Sequence, residues 1–337
     1  MRILLLLVSA LQLHPVLAFD HRKLGLVHHQ VADDSLGMLD IYVVDTLLDR
    51  TLPVLLYLDG SGAGPIFSNV QGTDGSWRMY STIPFPHRKL GCRYHVVLLG
   101  KPGLGLVDSV RGRAEDRIPP PEYTRRLSAG WRTLAASRAI DLVLSGYPCD
   151  RSRVAVLGYS EGAQVAPRVA VVNPRVTHVM AIAGDALNQF YDLIIDQRMA
   201  AERGDITHAQ AQAAVDSLFL DFARIHADPT STTGEWYGHS HLRWSSFTSP
   251  PTIAYFTRLD IPIYFVQGTM DSNSNVLGND YLRLEFLRLG KKNLTHVNLP
   301  GCDHHFNCWD TGPANRPPDH QRMQEVFEAA WTWFDAH

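Results

Sequence analysis

The sequence has little excess charge and few cysteines. Its 337 residues include 31 basic and 34 acidic side chains, which gives a net charge of −3. A basic face or stripe is typical of nucleic-acid-binding proteins, so we expect no nucleic-acid partner. Only four residues are cysteine, which excludes a small scaffold held together by disulfides. Because 45% of the residues are apolar, the chain can instead bury a sizeable core.

Long apolar runs are absent beyond the first residues of the chain. Residues 1–18 combine a basic start at Arg2, an apolar core and small residues near Ala18, which is the pattern of a secretory signal peptide. The apolar core is shorter than the roughly 20 residues that span a bilayer. An uncleaved membrane anchor is the alternative interpretation. The sequence therefore predicts a secreted or periplasmic protein without stable membrane insertion.

Export would allow the four cysteines to form disulfides. Cys302 and Cys308 are close in sequence, and a disulfide between them would close one short loop. Cys92 and Cys149 would remain, and because both precede predicted strands we expect them near the same edge of a parallel sheet. The two histidines between Cys302 and Cys308 suggest a metal site as an alternative. Their spacing lacks the separated ligand pairs of structural zinc sites, so we predict no metal and no organic cofactor.

Short apolar runs alternate with helical segments along most of the chain. Runs of this kind are typical of parallel strands that are buried on both faces, and they predict an α/β fold with a mostly parallel sheet between two layers of helices. In such sheets the ligand site lies at the carboxyl ends of the strands. The predicted buried strands are 54–58, 94–99, 154–157, 178–183, 261–266 and 294–299, with antiparallel edge strands at 25–31 and 38–44 and helices at 122–144, 163–172 and 321–336.

Residues 65–92 show little periodicity, and we expect them to be irregular. Residues 185–259 are too long for an ordinary connection and too apolar for a disordered linker. Their first part is helical in composition up to residue 227, and residues 228–251 resemble a loop. We predict that residues 185–259 form a largely helical cap over the active site. The predicted boundaries are 1–18 for the signal peptide, 19–184 and 260–337 for the two parts of the core, and 185–259 for the cap.

Three aromatic residues of the predicted cap, Trp236, Tyr237 and Trp244, are candidates for substrate binding. Large aromatic rings provide apolar contact area and can line an acyl or alcohol pocket. The same residues pack the core of such segments about as often, so this alternative stays open.

Three side chains with catalytic potential follow predicted strands. Ser160 is the centre of a Gly-Tyr-Ser-Glu-Gly segment between an apolar strand and a run of small residues, which is the sequence form of a nucleophile elbow. Asp271 and His304 follow the two last predicted strands. A serine hydroxyl needs a base, and the base needs an orienting carboxylate. The order Ser160, Asp271, His304 therefore predicts a catalytic triad.

These motifs resemble those of α/β-hydrolase fold proteins, in the style of secreted esterases and of the dienelactone-hydrolase and prolyl-peptidase-like branches. The resemblance covers most of residues 50–336, apart from the predicted cap. It implies that the backbone amides of Glu161 and of Ser61 or Gly62 stabilise an oxyanion. Members often carry histidine before the glycine of the oxyanion loop, where this chain has Asp59. The matching segments are the elbow at 158–162, the acid turn at 267–271, the histidine loop at 300–306 and the oxyanion loop at 58–61.

Other residues compete for two of the three roles. Asp185, Asp260 and Asp280 are alternative acids, and Asp271 is favoured because its turn places it at the end of a strand. His305 is the alternative base. The resemblance favours His304, because an aromatic residue stands two positions after it.

The triad and the resemblance imply a serine hydrolase that cleaves an ester through an acyl-enzyme on Ser160. A peptidase or amidase of the same fold is the alternative, because a triad acts on esters and amides alike. A non-catalytic binding protein that keeps the fold is a second alternative. The expected partner is a small-molecule ester or peptide substrate.

Overall fold

Eight strands form the central sheet in this computed structural model, which describes residues 20–111, 117–311 and 316–337. The sheet has the spatial order β1-β2-β4-β3-β5-β6-β7-β8, with the two edge pairings β1/β2 and β2/β4 antiparallel and the other five parallel. The predicted signal peptide at 1–18 lies outside the described residues. The strands are Leu26–Asp33 (β1), Gly37–Val44 (β2), Leu52–Leu58 (β3), His95–Leu99 (β4), Cys149–Tyr159 (β5), His178–Ile182 (β6), Ile263–Gly268 (β7) and Leu294–Leu299 (β8).

Seven longer helices accompany these strands among the described residues. They confirm the predicted α/β class with a mostly parallel sheet. No helix in the described ranges combines the length and the apolar character that a membrane span requires. The helices are Ala129–Gly146 (α1), Glu161–Val172 (α2), Gln189–Glu202 (α3), His208–Ala227 (α4), His241–Thr248 (α5), Val276–Arg288 (α6) and Met323–Ala336 (α7), and shorter helical turns span His21–Leu24, His87–Leu90, Pro121–Arg126 and Ile253–Phe256.

The core has two layers, one on each face of the sheet. Alternate side chains of a strand point to opposite faces. Leu56 of β3 accordingly packs in one apolar cluster with Ala139 of α1, and Leu55 packs in the other cluster with Phe334 of α7. The central strands can be apolar at every position because helices cover both faces.

Two sequence-based expectations outside the central sheet are wrong. Residues 65–92 are not irregular, since Phe67–Gln71 and Trp77–Ser81 pair with each other and the first pairs with Val107–Arg111. These strands are largely exposed and polar, so they lack the apolar pattern of a buried strand. The predicted helix at 122–144 is divided, because Ser128 accepts a hydrogen bond from the backbone amide of Trp131 and caps a new helix.

Residues 185–259, called the insertion below, contain α3, α4 and α5. The expectation that 228–251 is a loop is corrected, because this part includes α5 and a short hairpin of Glu235–Trp236 with His239–Ser240. Ser240 caps α5 by accepting a hydrogen bond from the amide of Arg243. The insertion has its own small apolar core, formed by Phe190, Phe222, Ile225, Trp236 and Trp244.

Candidate active site

Ser160 lies at a sharp turn between β5 and α2. Its backbone has φ 54° and ψ −120°, a conformation that side-chain-bearing residues rarely adopt. A Cβ atom at Gly158 would lie 2.1 Å from the carbonyl oxygen of Gly162, and one at Gly162 would lie 2.1 Å from that of Leu58. The two glycines are therefore required by close backbone contacts, and they hold Ser160 at the carboxyl end of the sheet.

Ser160, His304 and Asp271 form a continuous chain of hydrogen bonds. His304 Nε2 lies 3.0 Å from Ser160 Oγ, and His304 Nδ1 lies 2.7 Å from Asp271 Oδ2. With Nδ1 bonded to a carboxylate, the imidazole carries its proton there and presents Nε2 as a hydrogen-bond acceptor toward Ser160. The structure thus brings the three residues predicted from the sequence within bonding distance.

The carboxylate of Asp271 is buried and held on both oxygens. Oδ1 accepts hydrogen bonds from the backbone amides of Asn273 (2.8 Å) and Ser274 (3.0 Å). Oδ2 accepts one from the side-chain amide of Gln267 at 2.6 Å in addition to the bond with His304. These four bonds fix the orientation of the carboxylate toward the imidazole.

The alternative acids and the alternative base have other partners. Asp260 forms an ion pair with Lys291 at the surface, and Asp280 accepts a hydrogen bond from Asn298. Asp185 is buried, and its carboxylate accepts a bond from the amide of Leu187. His305, the alternative base, forms a hydrogen bond between its Nδ1 and the hydroxyl of Tyr159, at 3.0 Å.

The loop that carries His304 is closed by a disulfide between Cys302 and Cys308, as predicted. This loop contacts the acid turn directly. The amide of Met270 donates to the carbonyl of Cys302 at 2.8 Å, and a Cβ atom at Gly268 would lie 2.3 Å from that same oxygen. The disulfide therefore braces a loop whose position fixes the distance from His304 to Asp271.

Cys92 and Cys149 are both free. Cys149 begins β5, and Cys92 stands three residues before β4, so both lie toward the amino-terminal ends of parallel strands, as the sequence predicts. The strand β3 lies between β4 and β5.

Two of the three predicted oxyanion-hole residues, Ser61 and Glu161, line the cavity at Ser160, and Gly62 is not among the described lining residues. Gly62 has a positive φ of 94°, and its carbonyl accepts a hydrogen bond from Lys101. The oxyanion loop approaches the elbow closely, since a Cβ atom on Gly60 would lie 3.3 Å from that of Ser160. The amide of Glu161 is at the first turn of α2, where no intrahelical acceptor exists for it.

A network of five buried charged residues lies directly beneath this loop. The cation Lys101 pairs with Asp59 at 2.9 Å, and Asp59 also pairs with Arg132 at 2.8 Å. Glu161 joins Arg132 (2.7 Å) to Arg243 of the insertion (2.6 Å). We call these residues, Asp59, Lys101, Arg132, Glu161 and Arg243, the charge network.

The charge network gives Asp59 a structural role at the oxyanion loop. Lys101, bonded to Asp59, also donates hydrogen bonds to the carbonyls of Gly60 (2.7 Å) and Gly62 (2.9 Å). Asp59 thus anchors a cation that braces the oxyanion loop. Burial alone would raise the pKa of Glu161, but Arg243, Arg132 and Lys101 hold this pKa below its ordinary value.

Sequence reasoning missed the three cations of this network. Lys101 lies two residues after β4 at the carboxyl edge of the sheet, which is a usable signal. Arg132 is a charged residue among the apolar residues of α1 that face the core, and its side chain is only 2% exposed. Nothing local distinguishes Arg243 from the other polar residues of the insertion.

The cavity at Ser160, called the first cavity, has a volume of about 330 Å³. Apart from the triad and the oxyanion loop, its lining is polar and mostly uncharged. This lining suits a ligand that carries hydrogen-bonding groups near its reactive carbonyl. The side chains concerned are Tyr159, Gln164, Gln189, Arg243, Asn273, Ser274 and His305.

The expectation that three aromatic residues line this cavity is corrected. Trp236 and Trp244 pack in the apolar core of the insertion, and Tyr237 is 76% exposed. Trp244 still affects the site, because its ring lies 4.3 Å from the guanidinium carbon of Arg243 and supports that side chain.

Comparison by sequence finds no match, neither to a protein-family model nor to a curated protein. Comparison of the structure finds Pyrococcus horikoshii acylaminoacyl peptidase, with a TM-score of 0.55 and 14% identity over 92% of this chain and 41% of that one. It also finds Porphyromonas gingivalis dipeptidyl peptidase 4, with a TM-score of 0.50 and 12% identity over 93% of this chain and 35% of that one.

A third similar structure, a Pyrococcus furiosus esterase, matches with a TM-score of 0.50 and 14% identity over 95% of this chain and 92% of that one. The chain thus spans less than half the length of the two peptidases and nearly all of the esterase. Together with the strand order and the elbow, these similarities show that the chain has the α/β-hydrolase fold.

Proposed function

We propose that this protein is a serine hydrolase that cleaves a carboxylic ester through an acyl-enzyme on Ser160. The observation that carries the proposal is the hydrogen-bonded chain from Ser160 through His304 to Asp271, with the serine on a strained turn at the edge of a cavity. A binding protein would have no need of this arrangement. The hydrogen bonds from Ser160 to His304 and from His304 to Asp271 therefore favour catalysis over the non-catalytic alternative.

In the proposed reaction Ser160 Oγ attacks the ester carbonyl while His304 Nε2 takes the hydroxyl proton. Asp271 stabilises the imidazolium that forms. His304 then gives the proton to the leaving alcohol, and a water molecule releases the acyl group by the reverse sequence. The backbone amides of Ser61 and Glu161 are the proposed donors to the oxyanion, and loss of one such donor typically costs about 3 kcal/mol of barrier.

The lining of the first cavity supports a polar substrate rather than a long-chain lipid. The side-chain amides of Gln164, Gln189 and Asn273 can bond to hydroxyl or carbonyl groups near the scissile bond. The same amides fit a peptide backbone, and two of the similar structures are peptidases by name. A peptidase or amidase is therefore the second candidate function.

Labelling with a fluorophosphonate probe tests the proposed nucleophile. Wild-type protein should be labelled and Ser160→Ala should not, while Ser145→Ala, a change at an exposed serine of α1, should label like wild type. Labelling of the Ser160→Ala variant, or none of the wild type, would contradict the proposal. Faster turnover of aminoacyl p-nitroanilides than of p-nitrophenyl esters would favour the peptidase.

We also infer that the protein is exported and loses residues 1–18. The disulfide between Cys302 and Cys308 supports an oxidising location, since structural disulfides are rare in the cytosol. Amino-terminal sequencing of protein recovered from the exported fraction should start after Ala18. Recovery of uncleaved protein from the cytosol would contradict this inference.

A further inference from the structure

A second cavity of about 290 Å³ lies beside the first one. Its walls come from residues 118–127 of the core and from residues 232–243, in the second part of the insertion. Arg243 lines both cavities, so the two adjoin at its side chain. A ligand with its reactive carbonyl at Ser160 would reach the second cavity at the side chain of Arg243.

Two polar atoms of residues that line the second cavity are buried without a hydrogen-bond partner among the described residues. They are the hydroxyl oxygen of Tyr123 and Nδ1 of His239. Buried polar groups are nearly always paired in folded proteins, and an exception calls for a partner such as a ligand or ordered water. Both groups can donate a hydrogen bond, because a neutral imidazole carries its proton on either nitrogen.

The charge around Arg243 favours an anion. The charge network contains three cations (Lys101, Arg132 and Arg243) but only two carboxylates (Asp59 and Glu161), which leaves one buried positive charge in excess. Arg243 is the end of the network that reaches the second cavity.

Arg243 also has donors to spare. Three hydrogen bonds within the described part of the chain, two to Glu161 and one to Gln189, engage its guanidinium. A guanidinium has five N–H donors, so two remain.

Two further titratable groups line the second cavity. Burial lowers the pKa of His239 to about 4, with Arg243 adding to the effect, so His239 is neutral near pH 7 and can donate a hydrogen bond without adding charge. Glu235 is the carboxylate that lines the second cavity, and its side chain is exposed to solvent. Apolar side chains of Ile118 and Leu127 also line this cavity and leave room for a short aliphatic segment.

We propose that the second cavity binds a carboxylate of the substrate, with Arg243 and Tyr123 as its donors, while the scissile ester of the same molecule lies at Ser160. This proposal rests on the proposed hydrolase function and narrows its substrate class to esters that carry a free carboxylate a short aliphatic chain away. Arg243 and Tyr123 are then specificity-determining residues.

Two p-nitrophenyl esters that differ only in their terminal group test the proposal, with release of p-nitrophenol as the readout. p-Nitrophenyl hydrogen adipate carries a free carboxylate, and p-nitrophenyl methyl adipate has the same chain with that group capped. The wild type should hydrolyse the acid with a kcat/KM at least tenfold higher. Tyr123→Phe should lower this ratio about tenfold, the size of one hydrogen bond to a charged group. Tyr191→Phe, a change at an exposed tyrosine of the insertion, should leave the ratio unchanged.

Equal or faster hydrolysis of the methyl ester by the wild type would overturn the proposal, as would an unchanged ratio in Tyr123→Phe. Failure of the proposed function would look different, because p-nitrophenyl acetate would then not be hydrolysed and the fluorophosphonate would not label Ser160. Binding gives a readout that does not depend on turnover. Calorimetric titration of the Ser160→Ala variant with adipate should give binding that Tyr123→Phe weakens in the same background, and absence of binding would also overturn the proposal.

Discussion

Arg243 of the insertion donates two hydrogen bonds to Glu161, the residue that follows Ser160, and the two side chains form an ion pair. Arg243 Nη2 and Nε lie 2.6 and 3.1 Å from Glu161 Oε2, and both side chains are at most 3% exposed. The other carboxylate oxygen of Glu161 accepts from Arg132 of α1. One carboxylate therefore connects the elbow, the core and the insertion, and its loss should affect all three.

Glu161→Gln removes that carboxylate with almost no change in shape. We expect a loss of about 3–5 kcal/mol in the free energy of unfolding, because the buried guanidinium groups of Arg132 and Arg243 lose their shared counter-ion. Urea unfolding followed by circular dichroism measures the change. Glu285→Gln is the matched control, since Glu285 pairs with Arg288 on the surface, and it should unfold like wild type. Similar stability of both variants would contradict a structural role for the network.

Lys101→Met should affect catalysis more than folding. The change removes the two hydrogen bonds to the oxyanion loop, yet it leaves two cations and two carboxylates in the charge network. If the loop amides act only in the transition state, kcat for p-nitrophenyl acetate should fall roughly 10- to 100-fold with little change in KM.

The control for this variant is Lys291→Met, whose ammonium group pairs with Asp260 at the surface. It should keep the wild-type kcat. A raised KM with an unchanged kcat in Lys101→Met would show that Lys101 supports substrate binding rather than the oxyanion loop.

Most of the central sheet could be predicted because its strands are continuous apolar runs. The strand Leu294–Leu299 was predicted with the bounds that the structure has. The small sheet that includes Phe67–Gln71 was missed because its strands mix polar and apolar residues and lack the continuous apolar run of a buried strand. The helix His241–Thr248 was missed for a related reason, since it is short and polar and its start depends on one capping serine.

The triad could be located because each member follows a strand and the fold brings strand ends to one edge. The charge network gave no such signal. Its pairs join residues 73 and 82 positions apart, and the partners meet only after the elements around them have packed. The sequence left open whether Trp236 and Trp244 line the pocket or pack the insertion, because it does not distinguish a pocket wall from the core of the insertion itself.

Asp192 and Asp185, at the start of the insertion, form a buried pair of carboxyl groups close to Asp271. Each accepts one backbone hydrogen bond on Oδ1 and keeps its Oδ2 without a donor among the described residues. A proton shared between the two groups satisfies both oxygens. Burial, and then the neighbouring Asp185, raise the pKa of Asp192 well above its ordinary value.

Asp192→Asn should therefore change how stability depends on pH. In the wild type the folded state holds a proton that the unfolded state releases above about pH 4, so the free energy of unfolding falls as the pH rises from there. Asparagine resembles the protonated acid and does not titrate. The variant should match the wild type near pH 4 and exceed it by about 1–3 kcal/mol at pH 8.

Denaturant unfolding at several pH values measures this difference. Asp196→Asn changes an aspartate one turn further along the same helix and should keep the wild-type slope. A parallel pH dependence in Asp192→Asn and wild type would contradict the shared proton.

Replacing Cys302 and Cys308 by serine should loosen the loop that holds His304. Loss of a cross-link that closes so short a loop costs about 2 kcal/mol of unfolding free energy. Because the loop also sets the contact between His304 and Asp271, we expect kcat for p-nitrophenyl acetate to fall as well, about tenfold if the barrier rises by about 1.4 kcal/mol. Cys92→Ser, at an exposed free cysteine, should retain wild-type kcat and stability. An unchanged kcat in the double variant would show that packing alone keeps His304 in place.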